Sequence, residues 1–447
     1  MVTAKKILSD NEIQYEPGSI VDQSGRVFYW NNRVFREIYD DDVWKRYKGL
    51  IESPILQELV DAGLIETWIP DDVELKGCAG LLEHKKIDFV SYVSEWTFYM
   101  LWDAAKVYLD LQIILVQNGM AFKDGHPWNI LFDYCKPTMV DFGSIVDTGE
   151  KTPNWYDEFR IRFIAPLAAY KQQIARRLAN ELLYEHIHGV GLSLLKNRLG
   201  SLFPFQFNIL VRKYKKAIQK KDRAAIINAV VNMRSYLDTL QPDVIKEKWA
   251  NYIQMPDGEA SAQKAKTNAV LDMLKEFHPD TVLDMGANKG WYAFLAESQG
   301  SRVVAFDYES YCVDQIYFYG KEKNSRVLPL KMNFLLPTPE SGIGLTYKSA
   351  YERYRSDATL VLGMTHHLSL HQNLGFSHIA RIVKKFTKTA TVIEFVHPDD
   401  EHIRNWVIPA NYSQENFIQA MWKNGFDLVK ETRPISTRSI LVFRRKQ

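Results

Sequence analysis

From residue 281 onward the chain repeats one pattern that few folds accept: a short β-branched or aliphatic run, then a helix-like stretch. The runs are TVLDM (281–285), RVVAF (302–306), RVLPLKM (326–332), TLVLGM (359–364) and TVIEF (391–395). Each intervening helix can carry the chain back to begin the next strand in the same direction, so the alternation predicts a doubly wound parallel sheet. DLVKE (427–431) and SILVFRR (439–445) complete a set of seven. Only Thr432 to Arg438 joins these last two runs. That is too short for a crossover helix, so the final strand is expected to run antiparallel.

The first run leads directly into Asp284-Met285-Gly286-Ala287-Asn288-Lys289-Gly290, followed by the helix-like WYAFLAES. Glycines at such a turn let the backbone reverse sharply and approach a ligand where a side chain would clash. The second run ends at Asp307, twenty-three residues after Asp284. A carboxylate at about that spacing is placed to accept hydrogen bonds from a ribose diol. Ligands of these sheets lie beyond the carboxyl ends of the strands. Asn333, the segment LVLGMTHHL (360–368) and Glu394 with the following HPDD all fall there. A dinucleotide is the competing ligand, but its fingerprint wants a third glycine that G-A-N-K-G does not supply.

Of the eleven histidines, His366 and His367 are the best candidates for a general base, since an imidazole titrates near neutral pH; equally, one of the pair is structural. Glu394 is expected to orient a histidine, to contact a second substrate or to cap a helix. His371, His378, His397 and His402 read as surface or loop residues.

The first half of the chain has another texture. GRVFYWNNRVFREIY (25–39) reads as a hairpin about Asn31-Asn32, and residues 43–63 and 97–119 carry apolar side chains at helical spacing. Residues 155–240 are almost entirely helix-like, and a Pro-Asp-Gly turn signal interrupts NYIQMPDGEASAQK (251–264). The expected organisation is therefore 1–96, 97–250 and 251–447. Within AFKDGHPWNILFDYCKPTMVDFGSIV (121–146), Asp124 and Asn129 are spaced D-x-x-x-x-N, and Asp141-Phe142-Gly143 begins seventeen positions after Asp124.

These motifs carry two resemblances. Residues 251–447 resemble the class I S-adenosylmethionine-dependent methyltransferases, through LDMGANKG, the acidic end of the second strand and the seven-stranded layout. The resemblance implies a Rossmann-like α/β domain in which Asp284 and Gly286 sit by the methionine part, with Asn288 and Gly290 also among the cofactor-binding residues. It implies Asp307 on the ribose and Asn333 near the adenine. One departure is Asn288 in place of the usual middle glycine, although Asn tolerates left-handed backbone. Residues 121–146 resemble the catalytic loop and DFG segment of the protein kinase and aminoglycoside phosphotransferase superfamily. That implies an α+β domain with a helical C-lobe, Asp124 as acceptor of a hydroxyl proton, and Asn129 and Asp141 as Mg ligands beside ATP.

Ahead of it no glycine-rich loop or V-A-I-K lysine is present; Arg33 and Arg36 are offered instead, with Glu52 or Glu58 as a partner. As a whole the chain resembles bacterial class I methyltransferases with a kinase-like N-terminal half, for which the acceptor would be a small molecule or a glycan. The kinase-like half is then a scaffold or acceptor-docking module. Alternatively the chain phosphorylates and methylates one acceptor, or it is a non-catalytic nucleotide-binding assembly protein.

Composition narrows the partners. Lys and Arg number 56 against 54 Asp and Glu, a net charge of +2 that is too balanced to favour nucleic acid or an anionic membrane as the main partner. Three separated cysteines exclude a disulfide framework and suit a reducing compartment. No apolar run reaches the ~18–20 residues of a membrane span, and MVTAKKILSDNEIQYEPGS has no apolar segment after its lysines, so a cytoplasmic protein is expected.

Overall fold

The structure is a computed structural model that describes residues 5–148, 154–171, 205–246 and 261–446. The chain divides into two compact units, Met1–Asp243 with Ser341–Tyr347, and Val244–Glu340 with Lys348–Gln447. The expected stretches 1–96 and 97–250 thus fall largely within one unit. The Pro-Asp-Gly turn and the helix-like reading of 172–204 lie outside the described residues.

The first unit opens with a five-stranded antiparallel sheet. Its strands, in spatial order, are Gln14–Tyr15, Gly25–Trp30, Arg33–Ile38, Gly80–His84 and Thr67–Trp68. Asn31 and Asn32 turn the central hairpin with φ of 46° and 64°, the left-handed pair that a tight hairpin turn demands. Helix Asp41–Ile51 follows, its first N–H groups capped by the Asp40 carboxylate. Helix Phe98–Gln117, capped by Thr97, buries Leu101, Ala105, Tyr108, Leu109 and Leu115. It packs against helix Arg223–Asp238, which in turn lies on Phe205–Gln219. Hairpin Ile130–Asp133/Lys136–Met139 and the pair Met120–Phe122/Ile145–Asp147 bring the segments around Asp124 and Asp141 together.

The second unit is built on strands β1 Thr281–Met285, β2 Arg302–Asp307, β3 Val327–Lys331, β4 Ser356–Val361, β5 Thr387–Val396, β6 Phe426–Ile435 and β7 Arg438–Arg445. Their order is β3-β2-β1-β4-β5-β7-β6. Strands β1 to β5 are parallel, and β7 runs antiparallel to both of its neighbours. The longer helices are α1 Ser261–Phe277, α2 Trp291–Ser298, α3 Ser310–Lys323, α4 Phe376–Phe386 and α5 Gln414–Lys423. Strand β1 lies mid-sheet and is buried at every residue, as a strand covered on both faces must be. Its Val282 joins Val303, Ala305, Val392 and Val442 from the other strands and Val270, Met273 and Leu274 of α1 in one core. Beyond β4 the chain enters a turn of π-helix, His367–His371, so the histidine pair stands at the start of a helical turn and not on the strand. Among the described residues no helix is long and apolar enough to cross a membrane.

Candidate cofactor site and a second acidic centre

Where β1 ends, three residues take left-handed backbone: Gly286 (φ 70°), Asn288 (φ 50°) and Gly290 (φ 83°). A Cβ on Gly286 would lie 2.4 Å from Met364 Sδ, so both its dihedral and its surroundings require glycine. Asn288 supplies the middle left-handed position that a glycine usually holds. The turn is tied to β2: Gly286 and Ala287 donate their N–H groups to the Phe306 carbonyl.

Asp307 is buried at the end of β2. Its Oδ2 accepts the Asn288 N–H at 2.9 Å, and its Oδ1 accepts the Glu309 N–H at 3.0 Å. Burial pushes its carboxyl up to about 6, against the lowering effect of these bonds. Asp284, also buried, has an Oδ2 with no hydrogen-bond partner among the described residues. Burial pushes its carboxyl up to about 7; Lys266 opposes the rise and Asp307 adds to it.

Both carboxylates line one cavity of about 520 Å³, within the range of small-molecule sites. Gly286, Asn288 and Asn333 line it too, together with the apolar Met332, Phe334, Leu362 and Met364. Gly290 acts from behind, as the N-terminal cap of α2 packed on Ile316. Asn333 is exposed, its Oδ1 accepting the Leu335 N–H at 2.9 Å.

Two lining residues escaped the sequence reading. Among the described residues, Lys266 of α1 is the one lysine or arginine lining the cavity, and its Nζ lies 2.6 Å from Glu394 Oε2. Glu394 is therefore held by Lys266, and at 3.5 Å by Arg438, instead of orienting a histidine. Burial would raise the Glu394 carboxyl, but the ammonium and guanidinium hold it below the usual range. Arg438, at the start of the reversed strand, also grips buried Asp400 at 2.9 Å, and His402 sits 3.0 Å from that carboxylate.

The second is His371. It lines the cavity with His367, the two rings 5.8 Å apart and nearly parallel, while Trp406 lies 4.0 Å from His371. Spacing of four on a helical turn puts both on one face. His366, by contrast, is buried and is not among the lining residues. Burial, with His367 and Arg438 nearby, keeps its ring neutral.

In the first unit the motif residues do converge. Asp124 is half-buried, its carbonyl accepting from Tyr108 Oη at 3.0 Å and its N–H donating to Ser144 Oγ at 3.3 Å. Burial pushes its carboxyl up to about 6; Lys123 opposes this, and the charges of Asp141, Glu158 and Asp22 add to it. Asn129 follows on a 3-10 turn, its side-chain nitrogen buried without a partner. Asp141 is paired to Arg36 at 2.9 Å. Arg33 pairs instead with Asp72 and Glu83, so neither arginine takes Glu52 or Glu58, and Glu52 faces Lys48. Among the described residues, no group of three or more His, Cys, Asp or Glu side chains converges as metal ligands would.

No family model matches the chain. The chain is 24% identical over 471 residues to the nodulation protein NoeA of Rhizobium meliloti (strain 1021), a match spanning 96% of each protein. Similar solved structures include magnesium protoporphyrin IX methyltransferase (ChlM) of Synechocystis PCC 6803 with bound SAM, at 14% identity, 42% of this chain, 86% of that one and a TM-score of 0.31. The N-methyltransferase NodS of Bradyrhizobium japonicum WM9 matches at 12% identity over 42% of this chain and 99% of its own, TM-score 0.33. The bifunctional kinase-methyltransferase WbdD matches at 12% identity over 42% of this chain and 40% of its own, TM-score 0.30.

Proposed function

We propose that the second unit transfers a methyl group from S-adenosylmethionine to a small-molecule or glycan acceptor, and that the first unit is a scaffold or acceptor-docking module. One observation carries the reading: Asp284 and Asp307 edge a single cavity at the carboxyl ends of β1 and β2, in a seven-stranded sheet with a reversed strand inserted near one edge. The cavity offers buried acceptors, one cation and apolar walls, which suits a ligand with a diol, an amino acid end and a flat base.

S-adenosylmethionine held there supplies a methyl carbon on a sulfonium, open to in-line displacement. Each oxygen of Asp307 already takes a backbone N–H, which fixes the carboxylate so that its remaining lone pairs accept from the ribose diol. Asp284 Oδ2, without a partner among the described residues, would accept from the ligand's ammonium, and Lys266, oriented by Glu394, would receive its carboxylate. Met332 and Phe334 wall the base beside Asn333. Because this displacement spreads charge and creates none, positioning dominates, and His367 serves as base when the acceptor has a proton to lose.

The test is calorimetric titration of the whole chain with S-adenosylmethionine, S-adenosylhomocysteine and NAD. One-to-one binding of the first two is expected, weakened in Asp307→Ala by about 1.5 to 3 kcal/mol, the scale of a hydrogen bond to a charged group. An unaltered affinity removes the ribose role, and binding of NAD alone overturns the reading.

A further inference from the structure

Asp124, Asn129 and Asp141 are the residues that the phosphotransferase resemblance implies, and one of them, Asp141, already shares an arginine with Asp22. Arg36, buried on strand Arg33–Ile38, donates Nη2 to Asp141 Oδ1 at 2.9 Å and Nη1 to Asp22 Oδ2 at 2.8 Å. Its guanidinium lies against the backbone two residues beyond Asp141: a Cβ on Gly143 would meet Nη1 at 2.4 Å and Asp141 Oδ1 at 3.1 Å. Gly143 is thus needed to admit an arginine. Tyr47 Oη donates to the Gly143 carbonyl at 3.0 Å and holds the segment in place.

Charge closes the account. Asp22 has a second cation, Lys123, at 3.7 Å from Oδ1, and that oxygen also accepts from Ser24 N and Oγ at 3.0 and 2.7 Å. Two carboxylates thus face two internal cations. An Mg2+ ion prefers six oxygen ligands in octahedral array; here it would have to expel a buried arginine whose two carboxylate bonds come from two other segments of the chain. A metal–nucleotide does not fit these residues as they stand.

We propose that Arg36, held between Asp22 and Asp141, takes up the Asp141 carboxylate that a divalent cation would need, so that this centre is a closed ionic clasp and takes neither Mg2+ nor Mg-ATP. The clasp ties the loop at Asp22, strand Arg33–Ile38 and the Asp141–Ser144 turn into one rigid face. This deepens the scaffold part of the reading above and is independent of methyl transfer, because the cation measured is no part of the S-adenosylmethionine titration.

The experiment titrates the full chain with Mn2+, followed by the electron paramagnetic resonance of the free ion. The wild type should bind no Mn2+ tighter than about 1 mM. Arg36→Met, which keeps the length and removes the charge, should gain a site at least about tenfold tighter, lost again in Arg36→Met/Asp141→Asn. A stoichiometric wild-type site that Asp141→Asn removes overturns the proposal, and so does an Arg36→Met chain, folded by circular dichroism, that gains nothing. Should Arg36→Met fail to fold, the wild type decides. No rise in its melting temperature with Mg-ATP supports the clasp, and a concentration-dependent rise abolished by Asp141→Asn refutes it.

Discussion

Asp284 combines a functional position with an energetic cost. Its folded-state carboxyl titrates at about 7 and its exposed value is 3.8. Between those limits the folded chain holds a proton that the unfolded chain has lost, so this group makes stability fall as pH rises from about 4 to about 7 and adds no further slope above that. Asp307, at about 6, acts in the same direction over a narrower window. Glu394, held below its exposed value of 4.5, acts in the opposite sense, its contribution disappearing as pH falls through that region. Asp284→Asn removes the buried charge while preserving shape. The variant should melt higher than wild type at pH 8, on the order of a few kcal/mol more stable, with the difference shrinking towards pH 5. The same substitution should weaken S-adenosylmethionine binding. Melting curves from pH 5 to 8 check the first statement, and a variant no more stable at pH 8 than at pH 5, relative to wild type, would show that the Asp284 carboxylate bears no burial cost.

At the scale of elements, what was legible is what depends on periodicity. Short apolar runs fixed the strands, the seven-residue link Thr432 to Arg438 fixed the reversal, and paired asparagines marked the hairpin. What escaped depends on where one element stops and on which charges become buried together. Strand β4 ends at Val361, five residues before His366, so the histidines fall on a helical turn. That turn sends His367 and His371 into the cavity and His366 inward. The signal was the spacing of four between His367 and His371. Lys266 gave less warning, since a lysine on an amphipathic helix ordinarily reads as solvated; only its buried partner Glu394, 128 residues away, marks it as internal. Arg36 was singled out, but its partners come from a loop fourteen residues earlier and a turn 105 residues later, which no local pattern ties together.

Alternation on a strand would also set His366 and His367 apart, but the turn decides which of them faces the cavity. His367→Ala should lower kcat by about 10²-fold or more if the acceptor loses a proton, with cofactor affinity unchanged. His366→Ala should leave kcat near wild type and cost about 1 to 3 kcal/mol of stability, as a buried side chain does. Kinetics on the acceptor that a deletion strain leaves unmethylated, run beside thermal melts, separate the two; a reversal of these effects would return His366 to the site.

For the whole molecule the question is whether two units mean two reactions. The match to NoeA runs through both, at 96% of each chain. The two acidic centres nevertheless differ in kind. In the second unit Asp284 Oδ2 lies beside a cavity without a partner among the described residues. In the first unit Asp141 and Asp22 are neutralised by Arg36 and Lys123. Asp124 is then the remaining carboxylate of the first centre, raised to about 6 by burial and by its acidic neighbours, a value that suits proton transfer near neutral pH. A proton acceptor without a metal-bound phosphate has nothing to accelerate, since phosphoryl transfer rests almost wholly on positioning and on neutralising charge. Asp124→Asn should therefore leave S-adenosylmethionine affinity and methyl transfer within about twofold of wild type, while Asp307→Ala weakens that affinity by about 1.5 to 3 kcal/mol. Incubation with γ-labelled ATP should transfer no label to acceptor or protein in either variant or in wild type. Labelled product that depends on Asp124 would mean that Arg36 leaves its two carboxylates when nucleotide arrives, and the molecule would then be a tandem enzyme whose first step is phosphorylation.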